Sequence, residues 1–125
     1  MAKTAFIFPG QGAQYVGMAK DFYDKYEECR KIIDEADELM DFDLKAIMFE
    51  ENELINKTEY TQAAMLAAEC CILKAVELKG IKADITAGLS LGEYAALVAS
   101  GALDFADAMK PVSYTHLRAH ETPEH

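Results

Sequence analysis

Apolar residues along this chain change their spacing several times, and each change marks an element. Thr4 to Phe8 form a short apolar run closed by Pro9-Gly10. That run reads as a strand buried on both faces inside a parallel sheet. A glycine-rich turn, PGQGAQ, comes next. Tyr26, Cys29, Ile32, Ile33, Ala36, Leu39 and Met40 then recur at three and four residues, predicting a long helix with acids and lysines on its other side. The stretch FDLKAIMFE adds a short helix.

From Thr58 or Thr61, each a candidate N-cap, a helix is expected to run to a C-terminal cap at Gly80. Alanine fills its first half and apolar residues cover most of its circumference, so it should be largely buried. ADITAGLS then predicts a second strand, and LGEYAALVAS a helix ending near Gly101. Asp104 caps one more helix, FADAMK, with a break at Pro111. Strand, helices, strand, helix is the order of an α/β protein with a parallel sheet. After Lys110 the character changes: PVSYTHLRAHETPEH has no apolar period and holds every histidine of the chain, His116, His120 and His125. The expected organisation is therefore a domain over residues 1–110 and a non-native or disordered tail over 111–125, a string resembling read-through of adaptor sequence.

Composition narrows the function classes. With 12 basic and 22 acidic residues the formal charge is -10, which disfavours a nucleic-acid or anionic-membrane surface. Three cysteines, Cys29 and the adjacent Cys70 and Cys71, form neither a disulfide framework nor a metal-ligand spacing, so reduced buried thiols in a cytoplasmic protein are expected. The N-terminus lacks a signal-peptide pattern, and no apolar stretch is long enough to span a membrane. No metal and no cofactor are implied.

The chemistry centres on Gly88-Leu89-Ser90-Leu91-Gly92, a G-x-S-x-G between a predicted strand and a predicted helix. This is a nucleophile elbow: a turn so tight that side chains two residues either side of the serine would collide, so Gly88 and Gly92 are needed there. Ser90 is lifted clear of the sheet, and the following helix aims its free N–H groups at the same point. An oxyanion formed when Ser90 attacks a carbonyl would meet the Leu91 N–H. PGQGAQ ends the other strand on the same sheet edge, where its N–H groups could supply a second donor. A dinucleotide fingerprint is incomplete there, because Tyr15 stands where the third glycine belongs.

FIFPGQGAQYVGMA, TQAAMLAA and AGLSLGEYAALVASGAL together resemble the malonyl-CoA:acyl-carrier-protein transacylases, in order and in spacing, over residues 3 to about 110. The resemblance implies an α/β-hydrolase-like parallel-sheet domain. It also implies a ping-pong reaction in fatty-acid biosynthesis: Ser90 takes malonate from malonyl-CoA as an ester and passes it to the phosphopantetheine thiol of acyl carrier protein. By matching position, Gln11 and Leu91 would give the two oxyanion N–H groups, and Gln62 would line the substrate pocket. A cytoplasmic monomer is the implied setting. Polyketide-type acyltransferases, a general serine esterase of the same fold, and a non-catalytic interaction fragment are the alternatives.

Three departures from the family's pattern stand out. Leu89 precedes the serine where histidine is usual, and Ala63 replaces the proline of TQPA. The third is larger. The family's catalytic histidine, its carboxylate-binding arginine and its inserted ferredoxin-like subdomain have no counterpart here, since THLRAHE around Arg118 matches nothing in the family. The expectation is the front part of a longer enzyme, with little activity of its own. His116 and His120, four residues apart, form a poor replacement base or metal pair behind Pro111.

Overall fold

β1 (Ala5–Phe8) and β2 (Ile85–Gly88) run parallel, Ala5 opposite Ile85 and Phe8 opposite Gly88, in the computed structural model, which describes residues 3–119 and side chains as far as Ser113. Asp84 sets the register. Its carboxylate accepts from the Thr4 N–H at 2.7 Å, while its own N–H donates to the Thr4 carbonyl at 2.8 Å. Phe6 and Phe8, with Thr86 and Gly88 beside them, turn inward to the helices. The opposite face is bare: Ile7 is 77% exposed and Ile85 60%. The expected burial of β1 on both faces is thus corrected to one, because helices cover a single side among the described residues.

The helix predicted from Tyr26 to Met40 is present, and a shorter one precedes it. α1 (Lys20–Lys25) and α2 (Glu27–Leu39) are separated at Tyr26, whose backbone is extended (φ -117, ψ 125). Lys25 in the last turn of α1, and Glu27 and Glu28 in the first turn of α2, complement the two helix dipoles at this break. α2 buries Cys29, Ile33 and Ala36, as its spacing predicts, whereas Leu39 stays 43% exposed. α3 (Leu44–Phe49) is capped by Asp43, whose carboxylate accepts from the Ala46 N–H at 3.0 Å. A single 3-10 turn (Leu54–Asn56) leads into α4.

α4 (Thr58–Leu78) is the central strut, buried along most of its length. Its alanines let α2, α5 (Gly92–Ala99) and α6 (Phe105–Ala119) pack closely against it, and Ile33, Leu66 and Met109 fill the interfaces. Neither expected threonine caps it. Lys57 holds the cap position without a side-chain bond, and both hydroxyls are engaged elsewhere. That of Thr61 lies against the carbonyls of Lys57 and Ile55, and that of Thr58 accepts from Gln11. At the far end Gly80 (φ +78) closes a Schellman motif: its N–H donates to Glu77 and that of Ile81 to Val76.

α6 passes through Pro111 and continues to Ala119, where a break and then disorder were expected. Proline deprives the Asp107 carbonyl of an N–H. Against that loss, Ala108, Met109 and Val112 are buried around it, and Lys110 pairs with Asp107 at 3.0 Å. Residues 120–125 lie outside the described residues. The three thiols are free and buried, with Cys29 facing Cys71 between α2 and α4; burial pushes Cys70 and Cys71 up to about 12. No described helix is long and apolar enough to cross a membrane.

The edge of β1 away from β2 borders a groove of about 350 Å³ whose walls include Phe6, Phe8, Ile72 and Val76. Glu69 of α4 sits in this groove, 8% exposed, and its carboxylate oxygens have no hydrogen-bond partner among the described residues. Burial pushes its carboxyl up to about 8 from an ordinary 4.5. Below pH 4.5 the folded and unfolded chains both hold this proton; between 4.5 and 8 only the folded chain does, so stability falls as pH rises across that window. Glu69→Gln should remove this loss, which is a few kcal/mol at most. Urea unfolding of both proteins at pH 5 and pH 8 measures it, and parallel pH profiles would contradict it.

Candidate active site

The end of β2, the turn after it and the start of α5 meet the end of β1 with backbone against backbone. A Cβ placed on Gly88 would run into the Gly92 carbonyl and come within 2.5 Å of the Glu93 nitrogen. A Cβ on Gly92 would strike the Phe8 carbonyl group and lie 2.9 Å from the Pro9 oxygen. Real Cβ atoms do not approach so closely, so both glycines of the G-x-S-x-G are dictated by space.

Ser90 itself stands at φ 54, in the left-handed region that non-glycine residues seldom enter. Such a conformation costs on the order of 1–3 kcal/mol and persists only where the surroundings fix it. Here they do. The Leu89 N–H donates to the Phe8 carbonyl at 3.0 Å, the Gly92 N–H to Leu89 at 3.0 Å, and the Glu93 N–H to the Ser90 carbonyl at 3.0 Å. The result is an exposed hydroxyl at the N-terminal end of α5, above a buried Leu91.

The glycine-rich turn after β1 lies against this elbow. A Cβ on Gly10 would stand 2.7 Å from the Leu89 oxygen and 3.7 Å from the Ser90 Cβ. Among the described residues, neither the Gln11 N–H nor the Leu91 N–H donates a hydrogen bond. Two unspent donors beside an exposed hydroxyl are the elements an oxyanion hole requires. The Gln11 side chain points to the N-terminus of α4, where its Nε2 donates to Thr58 Oγ1 at 2.9 Å.

A cleft of about 440 Å³ opens beside Ser90, lined by Gln62, Leu91, Glu93, Tyr94, Pro111 and Val112. The structure thus brings Gln62 and Ser90 into one cavity, although 27 residues of chain lie between them. Sequence reasoning passed over Glu93 and Tyr94. Their signal was positional: three and four residues beyond Ser90, they lie in the first turn of the helix that follows it. It also passed over Val112, on the far side of the proline taken for a break. The readings of His116 and Arg118 concern side chains outside the described set, and His120 and His125 lie outside the described residues. No cluster of three or more potential metal ligands occurs among the described residues.

The chain is 44% identical over 113 residues to a malonyl CoA-acyl carrier protein transacylase of Bacillus subtilis, and 47% identical to one of Staphylococcus aureus. Each match takes in 90% of this chain but 36% of the relative, so the chain spans little more than a third of those proteins' length. Among solved structures, that of MCAT from Streptococcus pneumoniae superposes with a TM-score of 0.87 at 50% identity, over 92% of this chain and 38% of that one. A malonyl-transacylase in complex with a type II PKS acyl-carrier protein superposes at 0.84 with 36% identity, over 93% and 38%. The acyl transferase domain matches residues 5–121, from the first strand through the elbow and into α6. A match of that extent, on a chain whose strained serine, interlocked glycines and neighbouring turn all fall inside it, settles the relationship: this chain belongs to the acyl transferase domain family.

Proposed function

We propose that this chain carries the nucleophile and oxyanion-stabilising part of a site that moves malonyl groups from malonyl-CoA to acyl carrier protein. The observation that carries the reading is Ser90, held at positive φ between two glycines and beside two undonated backbone N–H groups. The relatives' names supply the substrate class. Ser90 Oγ, exposed to solvent, attacks the thioester carbonyl and its proton passes to water. Negative charge gathers on the carbonyl oxygen, where the Leu91 and Gln11 N–H groups stabilise it. The CoA sulfur then leaves with a proton, and malonate remains as a serine ester. The carrier's phosphopantetheine thiol attacks that ester through the same oxyanion, restoring the hydroxyl. Gln62 lines the acyl cleft.

The described side chains include no histidine to take the Ser90 proton. A serine at its ordinary pKa is a weak nucleophile, and loss of the paired base costs several powers of ten in rate. Slow acylation and slower transfer are therefore assigned to this chain. The cytoplasm is its setting, where the buried Cys29, Cys70 and Cys71 remain reduced.

Incubation with malonyl-CoA followed by intact-mass and peptide mapping should find a malonyl group on Ser90, and none on the Ser90→Ala chain. A malonylated alanine variant, or a wild-type adduct on another residue, would refute the nucleophile. Turnover to acyl carrier protein should lie several powers of ten below that of the Bacillus subtilis relative; equal turnover would show that a base is in place after all. Gly92→Ala tests the elbow. With the Phe8 carbonyl in the way, the variant should lose about 2–3 kcal/mol of stability by urea unfolding and its Ser90 adduct together. An unchanged unfolding midpoint would argue against backbone contact at that point.

A further inference from the structure

The turn that carries the Gln11 N–H has little backbone structure of its own. Between Gly10 and Gln14 its one backbone hydrogen bond, from the Ala13 N–H to the Gly10 carbonyl, is long at 3.4 Å, and Gly12 sits at φ +116. Peptide planes in such a turn rotate readily, and a rotation at Gln11 would swing its N–H away from Ser90. Two side-chain amides restrain it. Gln11 Nε2 donates to Thr58 Oγ1 at 2.9 Å. Gln14 Oε1 accepts from the Gly12 N–H at 2.7 Å, while its Nε2 donates to Asn56 Oδ1 at 3.1 Å. Both anchors flank Lys57, the cap of α4. Thr58 is the first residue of a helix that is buried for most of its length, a backing the turn itself lacks.

We propose that Thr58, assisted by Asn56, is a positioning residue for acyl transfer: it holds the Gln11 turn so that the backbone N–H faces the Ser90 oxyanion. This rests on the acyltransfer reading of Ser90. Thr58 touches no reacting atom. Its hydroxyl accepts the Gln11 amide, and Gln62, one helical turn further on, lines the Ser90 cleft, so one helix end aligns the oxyanion donor and the acyl cleft together.

The experiment compares the wild-type chain with Thr58→Val, which keeps shape but loses the acceptor, and Thr58→Ser, which keeps the acceptor. Amide resonances of 15N-labelled protein read the turn directly. The rate of Ser90 labelling by an alkyl fluorophosphonate, whose phosphoryl oxygen uses the same donors, reads the consequence. Thr58→Val should shift or broaden the Gln11 and Gly12 amide signals and slow labelling roughly three- to tenfold, the worth of one hydrogen bond. Thr58→Ser should restore both, with all three proteins unfolding at similar temperature. Unmoved Gln11 and Gly12 signals in Thr58→Val would overturn the proposal, as would a serine variant that behaves like the valine one. If wild-type Ser90 takes no label, the acyltransfer reading fails, and the amide signals alone decide whether Thr58 pins the turn.

Discussion

At the Phe8 carbonyl a strand end, a turn and a helix start are pressed together with no side chain between them. The space left beside Gly92 is too small for a methyl group, and that beside Gly88 is smaller still. Because Gly92 must lie there, α5 can leave the sheet in only one direction, and Ser90 has nowhere to be except at positive φ on the crest of the turn. The undonated Leu91 N–H follows from the same geometry: it is the first of the helical N–H groups that have no carbonyl one turn back. Orientation of nucleophile, dipole and donor is thus one consequence of backbone contact, held by steric exclusion and by the Leu89 N–H donating to the Phe8 carbonyl.

The second half of the site depends on side chains instead of backbone packing. Gln11 reaches its place through side-chain amides bonded to Thr58 and Asn56, all at or near the surface. Each such bond is worth about 1 kcal/mol, with water competing for it. The elbow is therefore the stiff member of the pair and the glycine-rich turn the compliant one. α4 links them, since its first residue, Thr58, anchors the turn beside Asn56 of the preceding 3-10 turn, and Gln62 follows a turn later.

Much of this was legible in the residues. The two glycines spaced four apart around a serine, after a β-rich run, predicted the elbow because the steric demand admits almost nothing else there. Gly80 predicted its cap for a comparable reason. Positions governed by competing partners were harder to read. Thr58 and Thr61 look like N-caps, yet their hydroxyls went to Gln11 and to carbonyls of the preceding turn, a choice set by tertiary placement. Pro111 reads as a stop in isolation, but Ala108, Met109 and Val112 buried around it outweigh one lost hydrogen bond. Ile7 could not reveal its exposure, since an apolar strand residue gives no sign of how many layers cover it. Glu69 was invisible for the same reason: its burial belongs to the groove, not to its neighbours in sequence.

The pairing of Thr4 with Asp84 spans 80 residues, and it shapes how the site comes into being on a growing chain. α2, α3 and α4 can associate as soon as they have been synthesised, because their contacts are comparatively local. β1 meanwhile has no partner: its edge groups remain solvated until β2 is made, and closing so long a loop is intrinsically slow. Ser90 acquires its strained conformation only after that closure, when the Phe8 carbonyl arrives beneath Gly92. During synthesis the early helices are thus a preassembled template that waits for the strand, and the reactive geometry forms only once that strand has arrived.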